Sequence, residues 1–354
     1  MKKCVFVLIA GIALFTACDK RESPRESPRE SLYVFNWSYY IPHSIIELFE
    51  QEFNVRVVYD EYASNEEMFA KLQTMGSRGR MYDLVFPSED FVPIMASEGM
   101  LAELDHSLIP NLQYINPIII EKMFYDPHMT YAVPFAFGAA AIMVNTEMVP
   151  DYEESWSIFT REDLRGRMTI LDDLRETIGG ALIYLGYSVN TVNPDEINEA
   201  ADLIMNEWMP NILRFDADSF GKVYASGDAW VVHGWAETVF EEIDGDDELI
   251  AKTAFFFPRE GVTGYIDNMV ILKNSRNQEL AHEFINFIHR PDIYALFLDE
   301  FRYPSTVNTY ARDFMEREPL YSEHDIYGAE LKDGLSEDLS LYHQVWFDRI
   351  RIGN

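Results

Sequence analysis

The chain has 354 residues, 48% apolar and 25% charged, with Lys+Arg 28 against Asp+Glu 60 and a formal net charge of -32. That length accommodates two ordinary domains, and that apolar fraction argues against intrinsic disorder. The acidic balance argues against a nucleic-acid partner, which needs a basic face, and suits a cationic ligand, although charge of this sign also serves solubility.

Residues 1–17 read as a signal peptide. Lys2 and Lys3 precede an apolar run over 4–15 that is too short to span a bilayer. Phe15-Thr-Ala-Cys18 resembles a bacterial lipoprotein signal, in which Cys18 becomes the acylated N-terminus; an ordinary secretory signal is the alternative. Residues 18–31 then form a lipid anchor and flexible tether. They repeat Arg-Glu-Ser-Pro, are broken by Pro24 and Pro28, and cannot bury a core. At ~3.3 Å per residue such a tether reaches at most ~40 Å. Once Cys4 leaves with the signal, Cys18 is the only cysteine, which excludes an internal disulfide or a zinc-thiolate site.

From residue 32 short apolar runs alternate with helical stretches. Residues 32–36 read as a strand, and 43–53 place Ile45, Ile46, Leu48, Phe49 and Phe53 at helical spacing. Val55, Val57 and Tyr59 alternate as in a strand, 66–75 is helix-like, and 82–87 is a strand ending in proline. This β-α-β-α-β order predicts a mainly parallel sheet flanked by helices. Further strands are expected over 139–144 and 168–171, the latter running into a helix cap at Asp172-Asp173, and helices over 196–208 and 278–289. No long linker appears. The pattern predicts an α/β fold of two lobes with the ligand near the carboxyl ends of the strands.

Catalytic motifs are scarce. No phosphate loop, GxGxxG, GxSxG or HExxH is present, so neither a cofactor nor a metal is expected. Asp173 and Glu176 share a helix face and could serve as a glycosidase-like carboxylate pair; Asp172 fits a cap. Aromatic residues concentrate at strand ends: Trp37 and Tyr40 after the first strand, Trp235 after 230–234, Tyr265 beside Asp267, and Tyr303 before Pro304. Loops at strand ends are where binding residues gather.

These stretches resemble the spermidine/putrescine-binding proteins of bacterial ABC importers. The resemblance runs over 32–351 and is carried by Leu32-Tyr-Val-Phe-Asn-Trp37 with Tyr40, Tyr59-Asp-Glu-Tyr-Ala-Ser-Asn65, Tyr82-Asp-Leu-Val-Phe-Pro-Ser88, Leu171-Asp-Asp-Leu-Arg-Glu176, Tyr265-Ile-Asp267 and Tyr303-Pro304. It implies two α/β lobes, residues 32–138 plus 268–311 and residues 139–267 plus 312–354. Chain crossings are expected near Gly138, Asp267 and Ala311, with closure on ligand in the cleft. It further implies a monomeric, periplasmic, non-enzymatic receptor that delivers a polyamine to a membrane permease. Carried over by motif, the ligand-binding residues are Trp37, Ser38, Tyr40, Ser88, Asp90, Asp173, Glu176, Trp235, Tyr265, Asp267, Tyr303 and Glu337. Asp90 stands where a tyrosine is common and Glu337 where a glutamine is common. The added acid at Asp90 predicts a preference for the triamine spermidine over the diamine putrescine. Two alternatives stand beside this reading: the same fold holding another solute, such as ferric ion bound by Tyr39 and Tyr40, and a glycoside hydrolase using Asp173 and Glu176.

Overall fold

The structure, a computed structural model, describes residues 30–38, 40–75, 82–335 and 338–351. The signal, Cys18, residues 19–29 of the tether, Tyr39 and Glu337 lie outside the described residues, and Ser31, expected to end the tether, opens the first strand. The strands are β1 Ser31–Trp37, β2 Arg56–Tyr62, β3 Leu84–Val85, β4 Ala132–Ala139, β5 Ala141–Asn145, β6 Met168–Ile170, β7 Ile212–Phe215, β8 Val231–Gly234, β9 Thr253–Phe256, β10 Thr263–Ile271 and β11 Glu330–Leu331.

They form two sheets. The first runs β11-β10-β3-β1-β2, with β4 along the other edge of β10, and the second runs β7-β6-β8-β5-β9. β1 pairs parallel with β2 and β3, joined through the helices His43–Phe53 and Asn65–Met75, as the β-α-β-α-β reading requires. β4 and β10 pair antiparallel and are buried along their whole length. Strands covered on both faces carry continuous apolar runs rather than alternation. Phe49 of the first helix packs edge-on against Phe284 of the helix Gln278–Ile288, with ring centroids 4.9 Å apart. One core fills the first lobe, and the second lobe has two, with Ile142 and Val144 of β5 in one and Met143 in the other. Alternating residues of one strand point to opposite faces, so the second sheet is covered on both sides.

The chain passes between the sheets at Ala140 between β4 and β5, over 257–262 between β9 and β10, and over 332–335 after β11. The first lies two residues from the expected position at Gly138. The other two differ from expectation. Tyr265-Ile-Asp267 is not a loop at a crossing but the middle of β10, which belongs to the first sheet. Residues near Ala311 stay with the first lobe, because Ala311, Ile326 and Ala329 are buried in its core. The boundaries at 267/268 and 311/312 therefore move to 257–262 and to 332–335.

Candidate ligand-binding cleft

Between the sheets, the carboxyl end of β1, the loop after β3 and the middle of β10 bring three distant segments together. Ser88 forms a bridge to Asp267, where the β4–β10 register slips between Asp267 and Asn268. Such a bulge re-aims side chains. The Asp267 carboxylate accepts a hydrogen bond from the Ser88 hydroxyl at Oδ1 and one from the Tyr40 hydroxyl at Oδ2, both 2.6 Å. It is buried, and burial pushes its pKa up to about 6 against the pull of these two donors. Tyr40, whose hydroxyl is committed to Asp267, has its pKa raised well above the usual phenol value, first by burial and then by the Asp267 charge. That disfavours the phenolate a ferric site would use.

Aromatic rings surround this carboxylate. Trp37 Nε1 and the Tyr62 hydroxyl both donate to the Phe86 carbonyl, at 2.9 and 2.5 Å, and their rings lie 4.8 Å apart. The Tyr265 and Tyr303 hydroxyls are 3.2 Å apart, and Tyr303 stacks on Phe297. Gly138 admits the Tyr265 ring: a Cβ at that position would lie 2.3 Å from the Tyr265 hydroxyl. Trp235 precedes the helix Ala236–Glu242, is half-buried and leans on Phe220. Ser38 sits exposed on the turn after β1.

The acids from the second lobe have other partners than expected. Asp173, not Asp172, is the helix cap. It begins the helix Leu174–Leu185 and accepts from the backbone N–H groups of Arg175 and Glu176 at 2.8 and 3.0 Å. One side of Asp173 is exposed; the protein atoms behind it, then the Glu176 charge, lift its pKa, and solvent on the open side tempers that lift. Asp172 pairs at the surface with Arg351, 3.1 Å away. Glu176 is buried, its Oε1 accepting from Lys332 Nζ at 2.6 Å and its Oε2 from the Thr263 hydroxyl. Burial alone would raise its pKa, but the Lys332 ammonium and these donors hold it below the usual carboxylate range. A general acid needs the opposite shift, so this geometry does not suit the hydrolase reading.

Three groups that the sequence reading did not single out complete the cleft. Lys332, from the third crossing, is buried, and its charge is held by Glu176, Glu89, Asp173 and Asp90 against a burial that would otherwise discharge it. Glu89 is fully buried. It accepts from the Ile266 and Lys332 backbone N–H groups at 2.9 and 3.2 Å, and burial drives its pKa to about 8 despite the Lys332 ammonium. Glu237, two residues after Trp235, is buried with Oε1 unpartnered, and burial pushes it up to about 7; its charge is felt by Tyr265, Tyr303 and Tyr321. Asp90 is buried beneath the third crossing, where a Cβ on Gly334 would lie 2.7 Å from its carbonyl oxygen. Burial raises the Asp90 pKa while Lys332 and Arg175 pull it down. Its Oδ1 is buried without a hydrogen-bond partner.

Comparison with known proteins matches residues 44–322 to the family model of the bacterial extracellular solute-binding proteins. The spermidine/putrescine-binding periplasmic protein of Escherichia coli K12 is 33% identical over 330 residues, covering 91% of this chain and 92% of that one. The putrescine/cadaverine-binding protein of Pseudomonas aeruginosa PAO1 is 34% identical over 300 residues, covering 81% and 80%. Among solved structures, the TpPotD lipoprotein of Treponema pallidum superposes with a TM-score of 0.86 at 46% identity, covering 90% of this chain and 99% of that one. With two sheets crossed three times by the chain and polar and aromatic side chains gathered between them, the chain belongs to the bacterial extracellular solute-binding protein family.

Proposed function

We propose that this protein is a monomeric periplasmic polyamine receptor that hands its ligand to the membrane permease of an ABC importer. The observation that carries this reading is Asp267, a buried carboxylate held by two hydroxyls with Tyr40, Tyr62 and Tyr303 close around it. A polyamine is a methylene chain bearing ammonium groups. Aromatic faces cover the methylenes and attract the ammoniums by ~0.5–2 kcal/mol each, and a pre-oriented carboxylate accepts a charge-assisted hydrogen bond. Together such contacts must outweigh desolvation of the ammonium and ordering of a flexible ligand. A net −8 kcal/mol, a dissociation constant of about 1 μM, is enough for scavenging. Trp37, Ser38, Tyr40, Ser88, Asp90, Asp173, Trp235, Tyr265, Asp267 and Tyr303 are the residues proposed to line the ligand, Glu237 joins them, and Glu337 remains a proposal from the motif alone. The protein binds without turnover.

Calorimetric titration with putrescine and spermidine tests the ligand class, and small-angle scattering at saturation tests closure of the lobes about the three crossings. Heat of binding, a smaller radius of gyration and a monomer mass are expected. No heat with either amine and an unchanged radius would remove this reading. We also infer that Cys18 carries the lipid anchor, since small residues precede it and a tether follows. Mass spectrometry of the native protein is expected to find an acylated Cys18 as its N-terminus; an unmodified one would contradict the anchor.

A further inference from the structure

Glu237 is a buried acid with no base of the protein set against it. The residue is 6% exposed, and its Oε1 has no hydrogen-bond partner. Asp90 Oδ1 is orphaned in the same way, but the Lys332 and Arg175 charges act on Asp90. Lys332 acts equally on Glu89, Asp173, Glu176 and Asp267. Among the described residues neither a lysine nor an arginine is set against Glu237. What it faces is tyrosine. Its charge acts on Tyr265, Tyr303 and Tyr321, and the Tyr321 hydroxyl is itself buried without a partner. These groups come from both lobes. Glu237 stands on the helix Ala236–Glu242, whose Ala236 and Val239 pack in the second lobe, while Tyr265 lies on β10 and Tyr303 and Tyr321 in the core of the first. Tyr303 also feels Asp267, and its hydroxyl lies 3.2 Å from that of Tyr265. The tyrosine pair is thus shared by two acids, one from each lobe.

We propose that Glu237, with Tyr265, Tyr303 and Tyr321, forms an ammonium subsite, so that two of the ligand's ammoniums are held by Asp267 from the first lobe and Glu237 from the second, with methylenes along the Tyr265–Tyr303 pair. This rests on the polyamine reading above and names the acid that takes the second ammonium. An unpaired buried carboxylate is a cost to the fold that a bound cation removes. Rings around that carboxylate suit an alkylammonium, because their faces attract the charge and cover the adjoining methylenes. A metal ion fits less well: burial above all holds the three phenols protonated, which leaves one carboxylate as the anionic donor. A ligand gripped by an acid of each lobe binds the closed arrangement better than the open one and so draws the lobes together.

Glu237→Gln keeps the shape of the side chain and removes its charge. In calorimetric titrations of the full chain it is expected to weaken putrescine and spermidine at least tenfold, roughly the loss that follows when a buried ammonium is left unpaired; a smaller loss overturns the proposal. Thermal unfolding of the ligand-free proteins at pH 8, where Glu237, pushed up to about 7, is ionised, separates this role from a structural one. The Gln variant is expected to melt at or above the parent, since a buried unpaired charge has gone. A lower midpoint shows that the fold itself uses the charge, and overturns the proposal. Should the variant fail to fold, a crystal structure of the parent chain with putrescine decides. One ammonium within hydrogen-bond distance of Asp267 and the other of Glu237 is expected; a ligand with neither ammonium on Glu237 overturns the proposal. Binding of neither amine by the parent chain overturns the polyamine reading and this inference with it, whereas binding that Glu237→Gln leaves unchanged overturns only the inference.

Discussion

Asp267→Asn is expected to weaken putrescine binding by ~2–5 kcal/mol, roughly thirtyfold to several thousandfold, while leaving the fold intact. The substitution keeps the shape of the side chain and one acceptor oxygen, so Ser88 or Tyr40 retains a partner. It removes the charge that an ammonium, once stripped of water by the surrounding rings, requires. The same carboxylate also sets a pH dependence. Its pKa in the folded, ligand-free protein is about 6, and a cation binds the ionised form. Asp267 should therefore make affinity fall as pH drops through 6, by up to tenfold per unit, about 1.4 kcal/mol, beyond the loss that protonation of Glu237, pushed up to about 7, brings at higher pH. The Asn variant should lose that slope. Titrations of both proteins from pH 5 to pH 8 provide the check, and an Asn variant that binds like its parent would remove Asp267 from the site.

Glu176→Leu should instead unfold the protein more easily, by about 3–5 kcal/mol at neutral pH, because it strips a buried ammonium of its nearest counter-charge. The sign of the pH effect follows from Glu176 itself. Its pKa in the fold is held below the usual carboxylate value, so its stabilising contribution is present above that value and is lost as pH falls through the lower folded one. The deficit of the Leu variant should thus be full at pH 7 and shrink in acid. Thermal unfolding of ligand-free protein at pH 7 and pH 4 measures both. Equal midpoints for parent and variant at pH 7 would show that the Lys332 pair contributes nothing to the fold.

These two carboxylates separate what is legible along the chain from what is not. The helix His43–Phe53 appears in the sequence because its apolar residues recur at helical spacing, and the left-handed Asn54 ends it. The parallel pairing of β1, β2 and β3 follows from their alternation with helices. Trp37 and Tyr40 could be read as site residues because they fall at the end of the first strand, where local patterning carries that information, whereas Ser88 came from the resemblance. β10 was harder: a strand buried on both faces has no polar alternation to mark it, so Tyr265 and Asp267 looked like loop residues at a crossing.

Legible along the chain are the α/β character, the strand-end aromatics and the acids that suit a cation. Tertiary structure alone decided which acids are free. Asp173 caps its own helix through neighbouring backbone N–H groups, but Glu176 becomes an ion-pair partner only when a lysine 156 residues away arrives on the third crossing. Glu89 accepts from the N–H groups of Ile266 and Lys332, which β10 and that crossing deliver. Charge has no period and no local signature. A lysine near the end of a chain with twice as many acids as bases reads as a solvated residue. Its burial among Glu89, Asp90, Asp173 and Glu176 depends on two lobes and three crossings brought to one place, where the interaction energy is set by distance and the surrounding medium rather than by position in the sequence.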